Sequence, residues 1–281
     1  MDAAVDIVIA AYNPGVFLSE MLASLVEQTH TRWRAFVVDD GSTEDLSWVT
    51  GVDERIELIH QNNQGQGAAR NTGIAAGSAE FVAFVDADDK WLPGKLDAQL
   101  KAMAPGVVLC STAFEIIDRD GNRTGDGYKG FATSRAELLQ GDGICLSTTL
   151  TRRDALTAVG NFDASLRIAQ DWDLWIRLAG IGTLVKLPEI LAQYRIHGGN
   201  VTADYRRVNR IARAMLKRYA HGPDAPLAEA GRRRINEITA AQAFDAFRST
   251  RRPVHLVRAL AWSPRYTLGA LASKLRDSLP L

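Results

Sequence analysis

Short apolar runs alternate with segments of helical spacing along the first hundred residues. Four runs have the length of buried strands, at residues 5–11, 35–38, 56–59 and 81–85. Between them, apolar residues recur at helical spacing from 16 to 26, and small residues fill 68–76. This alternation predicts an α/β fold with a mostly parallel central sheet and helices on both faces.

The pattern changes after about residue 105. Strand-like runs at 107–109 and 144–150 lie on either side of a polar stretch, 118–122, that is typical of a hairpin turn. A helix is predicted at 170–178 and strands at 183–187 and 190–196. From Tyr205 onward the chain is helical in pattern and rich in arginine. We therefore divide it into residues 1–204, with halves at about 1–104 and 105–204, and an α-helical C-terminal extension, 205–281.

Polar residues gather where the predicted strands end. Tyr12 follows the first strand, Asp40 the second, and Asp86 and Asp88 the fourth. Open α/β sheets bind ligands outside the carboxyl ends of their strands. We therefore expect these residues to share one crevice.

Composition narrows the class of protein. The 281 residues are 46% hydrophobic and 23% charged, as in an ordinary globular protein, and no apolar run is long enough to cross a membrane. The N-terminus lacks the basic region of a secretory signal, so we expect a cytoplasmic protein. Cys110 and Cys145 have no Cys-x-x-Cys partner, which argues against zinc and favours two buried thiols.

The zero net charge hides an asymmetry. Residues 1–204 hold 17 Lys and Arg against 28 Asp and Glu, a net charge of −11, whereas 205–281 hold 16 against 5, a net charge of +11. An acidic body suits a site that holds a cation, and a basic extension suits an anionic surface.

The acidic segment Asp86-Ala87-Asp88-Asp89 concentrates three carboxylates in four residues at a strand end. Carboxylate oxygens are preferred ligands of Mg²⁺ and Mn²⁺, and magnesium is commonly held by one or two carboxylates plus substrate phosphates. The segment therefore suggests a metal-bound diphosphate, although a solvated acidic turn has the same pattern.

Arg70 lies in a glycine-rich segment, residues 64–71, before a predicted helix. The segment matches neither the dinucleotide fingerprint, because Arg70 replaces its last glycine, nor a P-loop, because no Gly-Lys-Ser/Thr follows. Arg70 can offset phosphate charge or form a structural ion pair.

Two later residues are candidates for chemistry. Asp171, near the N-terminus of the predicted 170–178 helix, is stabilised as an anion there and can accept a proton from a hydroxyl, unless the helix is only a capped surface helix. His197 precedes a glycine turn and can bind a metal or a phosphate, although a lone loop histidine often has no special role.

Together these motifs resemble the inverting glycosyltransferases of family 2, which have the GT-A fold. The resemblance covers about residues 5–200 through eight motifs in the family's order, namely Val8-Ile9-Ala10-Ala11-Tyr12-Asn13, Gln28-Thr29, Val37-Val38-Asp39-Asp40-Gly41-Ser42, Asn63-Gln64-Gly65 through Ala69-Arg70-Asn71, Phe84-Val85-Asp86-Ala87-Asp88-Asp89 with Trp91 and Pro93, Gly160-Asn161-Phe162-Asp163, Gln170-Asp171-Trp172-Asp173-Leu174-Trp175 and Tyr194-Arg195-Ile196-His197. Residues beyond 204 lie outside it.

The resemblance implies a role for each matching residue. The first half of 1–204 would bind the nucleotide-sugar donor and the second half the acceptor. Ala10, Tyr12 and Asp40 would contact the nucleotide base, with Arg70 and Asp86 near the nucleotide.

The resemblance also implies the chemistry. Asp88, helped by His197, would bind Mn²⁺ or Mg²⁺, and Asp171 would be the catalytic base. Gln170 stands where the family often has Glu, and the missing negative charge should lower the pKa of Asp171 relative to the family pattern.

The resemblance predicts a metal-dependent inverting transfer of a sugar from a nucleotide-sugar, with uridine diphosphate favoured, to a saccharide or lipid-linked saccharide in envelope glycan synthesis. A sugar nucleotidyltransferase would need a basic glycine-rich loop after the first strand, where this chain has Tyr12-Asn13-Pro14-Gly15. A non-catalytic sugar-nucleotide binder stays open. For 205–281 we weigh peripheral contact with an anionic membrane against a helical cap on the first domain; no nucleic-acid-binding motif is present.

Overall fold

The computed structural model describes residues 3–127, 132–141, 143–199, 205–250 and 252–277, the last turns of which (272–277), like 205–209, are described by backbone alone. The chain divides into two compact units, Met1–Ala203 and Asp204–Leu281.

Four parallel strands form one half of the sheet in the first unit. They lie in the order β3-β2-β1-β4 and are β1 Val5–Ala11, β2 Trp33–Asp39, β3 Ile56–His60 and β4 Phe81–Asp86. Helix α1, Phe17–Val26, follows β1, a 3₁₀ helix, Ser47–Gly51, precedes β3, and α2, Gln66–Ala76, follows β3. The four strands predicted from the apolar runs are confirmed, with β2, β3 and β4 slightly longer at their ends.

Helices cover both faces of these strands. Alternate residues of β1, such as Ile7 and Ile9, belong to the buried cluster that includes Leu22 of α1. On the other face α2 approaches closely at Gly73, where an added Cβ would lie 2.6 Å from a methyl carbon of Val8. A side chain at Gly73 would push α2 off the sheet.

The sheet continues with mixed parallel and antiparallel pairings in the order β4-β8-β6-β9-β5, and β7 pairs with the outer part of β6. Strand β8 is antiparallel to β4 and β6, whereas β9 is parallel to β6. The elements of this half are β5 Lys90–Trp91, α3 Lys95–Ala102, β6 Val107–Ile117, β7 Arg123–Asp126, α4 Arg135–Leu138, a 3₁₀ helix Leu146–Thr148, β8 Leu150–Arg152, α5 Arg153–Ala158, α6 Gln170–Leu178 and β9 Thr183–Arg195.

Several predictions for this half hold and one is wrong. Helix α6 has the predicted bounds, and the predicted hairpin turn joins β6 to β7, with the Asp118 carboxylate accepting backbone N–H bonds from Asp120 and Asn122. Of the strand predicted at 144–150 only Leu150 belongs to a strand, β8, and residues 146–148 form a 3₁₀ helix, because the Thr148 and Thr149 hydroxyls donate to carbonyls three residues back and stabilise a turn.

The two strands predicted at 183–187 and 190–196 form one strand, β9, with an irregularity in its middle. Leu187 pairs with Thr112 and Ile190 with Ala113, so that β9 gains two extra residues opposite β6. Pro188, which has no N–H to donate to the ladder, lies in that irregularity.

The cysteines differ in burial. Cys110 is buried in β6 and Cys145 is half-buried, and neither is in a disulfide.

The second unit is helical, as the sequence predicts. Its helices are α7 Tyr205–Ala220, α8 Ala225–Thr250, α9 Pro253–Trp262 and α10 Pro264–Asp277. Helix α8 approaches α7 at Gly231, where a Cβ would lie 3.0 Å from the backbone nitrogen of Ala220. Within the described part of the chain, no helix combines the length and the apolar character needed to cross a bilayer.

Candidate active site

The carboxyl ends of the parallel strands align in one row. Ala10 pairs with Val38 on one side and Asp86 on the other, and Asp39 pairs with Ala11 and His60. Ala10, Asp40 and Asp86 therefore lie at one edge of the sheet, as predicted from the pattern of strand ends.

The turns after β1 and β2 are bonded to each other. The Asn13 backbone N–H donates to the Ser42 hydroxyl (2.9 Å), and the Asn13 side-chain oxygen accepts from the backbone N–H of Thr43 (2.8 Å). Asn13 and Gly15 both have left-handed backbone conformations. Tyr12, between β1 and this turn, is 55% exposed, so that its ring is available to a planar ligand.

The Asp40 carboxylate is buried and holds the segment before α2. It accepts hydrogen bonds from the Gln61 side chain (2.8 Å) and from the backbone N–H groups of Gln64 (2.8 Å) and Gly65 (2.7 Å). Gly65, with φ of 93°, has a conformation that glycine favours. A carboxylate accepts about four hydrogen bonds, so Asp40 retains roughly one position for a ligand donor.

Arg70 is buried in α2 and connects three elements. Its Nη2 donates to Asp86 Oδ1 at 2.7 Å. The Gln170 amide nitrogen donates to the Leu166 carbonyl (2.7 Å), and the amide oxygen accepts from Arg70 Nη1 (2.9 Å). Gln170, the departure from the family pattern, is therefore a neutral acceptor that fixes the guanidinium beside Asp86.

Asn71 attaches the 160–163 segment to α2. Its amide donates to the Phe162 carbonyl (2.8 Å) and accepts from the Phe162 N–H (3.0 Å). The Phe162 ring packs edge-on against Phe84 of β4, and the Arg70 guanidinium lies 5.5 Å from its centroid. These contacts explain why the two motifs, distant in sequence, occur together.

Asp171 is the second residue of α6, directly after Gln170. Burial raises the pKa of its carboxyl above the usual value, the Arg70 cation opposes that effect, and the Asp86 charge adds to it. Arg70 and Asp86 are thus close enough to Asp171 to influence the pKa of its carboxyl. A carboxylate that is partly desolvated and has a raised pKa is suited to accept a proton.

The acidic segment after β4 contacts the end of β9. His197 Nε2 lies 2.9 Å from Asp88 Oδ2, and its ring packs on Phe17 with centroids 4.7 Å apart. Burial raises the pKa of Asp88, the neighbouring Asp86 charge raises it further, and His197 opposes both. Burial and the neighbouring Asp86 charge therefore outweigh the stabilisation that His197 gives to the Asp88 carboxylate.

Asp89 does not face the crevice. It is fully buried, accepts from the Ser147 hydroxyl and from the Arg195 backbone N–H (2.8 Å), and burial raises its pKa well above the usual value. These bonds hold Asp89 inside the protein, so Asp86 and Asp88 are the carboxylates of the segment that a ligand can contact.

Arg195, which the sequence patterns did not single out as a site residue, is fully buried behind the same segment. Its Nε donates to the Asp88 carbonyl (2.9 Å) and its Nη1 to the Arg119 carbonyl (2.8 Å), while Nη2 donates to Glu20 Oε2 (2.7 Å). The guanidinium therefore joins the acidic segment to α1 and to the β6–β7 turn.

The predicted site residues fall into connected groups. Asp86, Arg70 and Asp171 form one group, and Asp88 and His197 form a second, with Asp88 two residues after Asp86. Ala10 pairs with Asp86 in the sheet. Asp40 directly follows β2, and the turn after it is bonded to the turn that follows Tyr12. Within the described ranges, no three His, Cys, Asp or Glu side chains form a ready metal cage.

Comparisons with known proteins find related sequences. The model of the family described as Glycosyl transferase family 2 matches residues 6–160. A protein of Rickettsia felis named as an uncharacterized glycosyltransferase is 31% identical over 210 residues, which cover 72% of this chain and 34% of that protein. The Escherichia coli UDP-Glc:alpha-D-GlcNAc-diphosphoundecaprenol beta-1,3-glucosyltransferase WfgD is 26% identical over 210 residues, covering 72% and 81%.

A solved structure shows the same fold. The mannosyltransferase PcManGT from Pyrobaculum calidifontis, in complex with GDP-Man and Mn²⁺, superposes with a TM-score of 0.69 at 16% identity, covering 99% of this chain and 81% of that one. The predicted GT-A type α/β fold with a helical C-terminal part is confirmed. The chain spans about a third of the length of the first three relatives that it matches.

Proposed function

This chain belongs to glycosyl transferase family 2, as its resemblance predicted, and on that premise we propose that it moves a sugar from a nucleotide-sugar onto an acceptor hydroxyl with inversion at the anomeric carbon. One observation carries the proposal. Asp86, Arg70 and Asp171, separated by up to about a hundred residues in sequence, meet at one edge of the sheet, and Asp88 of the same acidic segment lies 2.9 Å from His197, which follows β9. Arg70 supplies positive charge, Asp88 and His197 are candidate metal ligands, and Asp171 is a candidate proton acceptor.

The donor nucleotide would lie across the ends of β1, β2 and β4. The exposed Tyr12 ring would pack on the base, with Ala10 beside it, and Asp40 would accept a base N–H at its remaining acceptor position. A uracil ring has an N–H suited to this, and WfgD carries UDP-Glc in its name, which supports a uridine diphosphate sugar. PcManGT, with GDP-Man, is the reason to test other bases.

The residues present fit a divalent cation. Asp88 and His197 offer a carboxylate oxygen and an imidazole nitrogen that lie 2.9 Å apart, and a bound cation would oppose the burial and the Asp86 charge that together raise the pKa of Asp88. Two protein ligands with substrate phosphates completing the shell suit Mn²⁺ or Mg²⁺. When bound, such an ion acts as a Lewis acid toward the leaving diphosphate.

The chain's own groups perform the remaining steps. Asp171 accepts the proton of the acceptor hydroxyl as its oxygen bonds to the anomeric carbon, and the bond from that carbon to the diphosphate breaks with both electrons leaving on oxygen. Arg70, held by Asp86 and Gln170, offers positive charge close to the leaving group. Attack from the face opposite the diphosphate inverts the anomeric centre.

The acceptor is proposed to be a saccharide or a lipid-linked saccharide of an envelope glycan. WfgD supports the lipid-linked alternative, because its name gives a diphosphoundecaprenol-linked sugar as acceptor. We infer that the protein acts in the cytoplasm, with 205–281 as the part that reaches an anionic membrane where such acceptors lie.

Thermal unfolding with nucleotides tests the donor site. Uridine, guanosine and thymidine diphosphates, each with and without Mn²⁺, are compared on the wild type and on Asp88→Asn. A ligand present at about 100 times its Kd adds about 2.7 kcal/mol to the free energy of unfolding. We expect stabilisation by one nucleotide, dependent on Mn²⁺ and lost in Asp88→Asn.

The outcomes separate the alternatives. Equal stabilisation by all three nucleotides would contradict the proposed preference for a uracil base. Stabilisation that survives Asp88→Asn and needs no Mn²⁺ would contradict the metal site. Metal-dependent nucleotide binding without any sugar transfer would favour a non-catalytic sugar-nucleotide binder.

A further inference from the structure

Helix α9 exposes large apolar side chains along one face. Val254, Val257 and Trp262 are 50%, 63% and 50% exposed, and Arg258 and Ala261 are exposed between them. At 3.6 residues per turn these five residues fall within an arc of about 140°. We refer to these five residues as the α9 face.

The opposite side of α9 is the packed side. Ala259 is fully buried, and Leu256 and Leu260 are half-buried. The exposure of the α9 face is therefore a property of one side of the helix and not a sign of a helix without packing.

Positive charge accompanies the apolar residues. No Asp or Glu occurs between Asp245 and Asp277, a stretch that holds seven Lys and Arg. Within the described part of the chain, neither Arg258 in the α9 face nor Arg265 at the start of α10 makes an ion pair. Tyr266 and Leu268 add exposed apolar surface to α10, at 40% and 57%.

We propose that the α9 face, with the start of α10, docks on the surface of an anionic lipid bilayer. A helix with apolar residues on one side and arginines among them lies in the interface plane, the rings and methyl groups among the acyl chains and the guanidinium groups at the phosphates. The short α9 lies on the bilayer and does not cross it. The proposal narrows the contact of residues 205–281 with the membrane to the α9 face and the start of α10. It rests on the proposed function only for the purpose of that contact, which is to approach a lipid-linked acceptor.

A bilayer fits this face better than a second copy of the chain. A second copy seated on this face would bring a stretch with seven Lys and Arg and no Asp or Glu against the same stretch, and like charges that face one another repel. The same charge suits a phosphate-rich surface, where Arg258 carries part of the attraction.

Vesicle flotation of the full chain tests the proposal. Vesicles of phosphatidylcholine alone are compared with vesicles that also contain phosphatidylglycerol, at low and high salt. We expect flotation with the anionic vesicles, weakened by salt. Val257→Asp combined with Trp262→Asp should lower the partition coefficient by at least about tenfold, the factor that burial of one apolar side chain supplies.

A matched variant separates the α9 face from added negative charge in general. Val52→Asp combined with Ile181→Asp places the same two charges at exposed apolar positions of the first unit, and it should float like the wild type. Arg258→Gln should lower binding to anionic vesicles while leaving weak binding to phosphatidylcholine unchanged.

Two results would overturn the proposal: no flotation of the wild type with anionic vesicles, or equal flotation of both double variants. A change from dimer to monomer in the α9 variant without any flotation would identify the face as an interface between copies. Nucleotide binding, followed by thermal unfolding, is independent of lipid, so failure here and failure of the proposed transferase are distinguishable.

Discussion

Replacing Arg195 with lysine is expected to weaken binding of metal and nucleotide as well as to destabilise the fold. The buried guanidinium donates to the carbonyls of Asp88 and Arg119 and to Glu20, and the Arg195 N–H donates to Asp89. A lysine ammonium keeps the charge but cannot reproduce the planar fork that reaches several acceptors at once.

The magnitude follows from the acceptors left without a donor. Each buried carbonyl that loses its partner costs about 1–3 kcal/mol, so one or two orphaned carbonyls lower the free energy of unfolding by about 1–6 kcal/mol. The Asp88 carbonyl is one of them. Residues that orient metal ligands typically contribute 10–100-fold to metal affinity, and we expect a loss in that range for Mn²⁺-dependent nucleotide binding.

Arg153→Lys is the matched control. Arg153 makes a similar set of bonds near the start of β1, to the carbonyls of Ile74 and Ala79 (2.6 Å each) and to Asp6 (2.5 Å). It lies at the opposite end of the strands from the site. Both variants are compared by urea unfolding and by titration of nucleotide at several Mn²⁺ concentrations.

The two variants should lose comparable stability, and Arg195→Lys alone should lose nucleotide affinity and need more Mn²⁺. If Arg195→Lys keeps wild-type affinity for Mn²⁺ and nucleotide at a stability equal to that of Arg153→Lys, the guanidinium does not position Asp88 and the reasoning fails.

Two further variants test other parts of the structure. Burial lowers the pKa of Lys95 to about 7, so between about pH 7 and pH 10.5 the unfolded chain binds more protons than the folded chain. The free energy of unfolding should therefore rise with pH in that window, by at most about 5 kcal/mol. Lys95→Met should flatten the rise, and equal pH slopes for the variant and the wild type in urea unfolding would contradict the explanation. The variant leaves Gln99 without its 2.6 Å donor, so its gain below pH 7 should be about 2–4 kcal/mol. Gly65→Ala places a Cβ at a residue whose φ is 93°, 2.6 Å from Arg167 Nη1. The strain should lower the free energy of unfolding by about 1–3 kcal/mol. Because the Gly65 N–H donates to Asp40, nucleotide binding should also weaken. Unchanged melting temperature and nucleotide affinity would refute that account.

The meeting of the strand ends could be predicted because parallel strands share one carboxyl edge. The apolar runs gave β1 to β4 within a few residues, and Tyr12, Asp40 and Asp86 then had to lie near one another. The roles of Asp88, His197 and Asp171 came from the resemblance, and they stay predictions until variants are measured.

The supporting residues could not be predicted, because burial gives them their roles. In the sequence Arg195 is an arginine at the end of a predicted strand, a position at which arginines are commonly exposed. Its burial results from the packing of the acidic segment against it. Lys95 reads as a surface lysine of α3, yet its ammonium lies 3.9 Å from the centroid of the Trp91 ring. Its burial depends on contacts that no local pattern contains.

Gln170 shows the limit of reading one position at a time. In the sequence it is a lost negative charge beside Asp171. In the structure its oxygen accepts from Arg70, and burial of Asp171 outweighs the missing charge, since the pKa of that carboxyl is raised. The net pKa could not be obtained from the neighbour alone.

Turnover of Asp171→Asn, measured with donor affinity on the same preparation, tests the central claim most directly. The amide keeps the size of the side chain and cannot accept the acceptor's proton, and a positioned base typically contributes 10²–10⁴-fold. We expect turnover to fall by about 10²-fold or more while Mn²⁺-dependent donor binding survives. Unchanged turnover with unchanged donor affinity would mean that Asp171 is not the base.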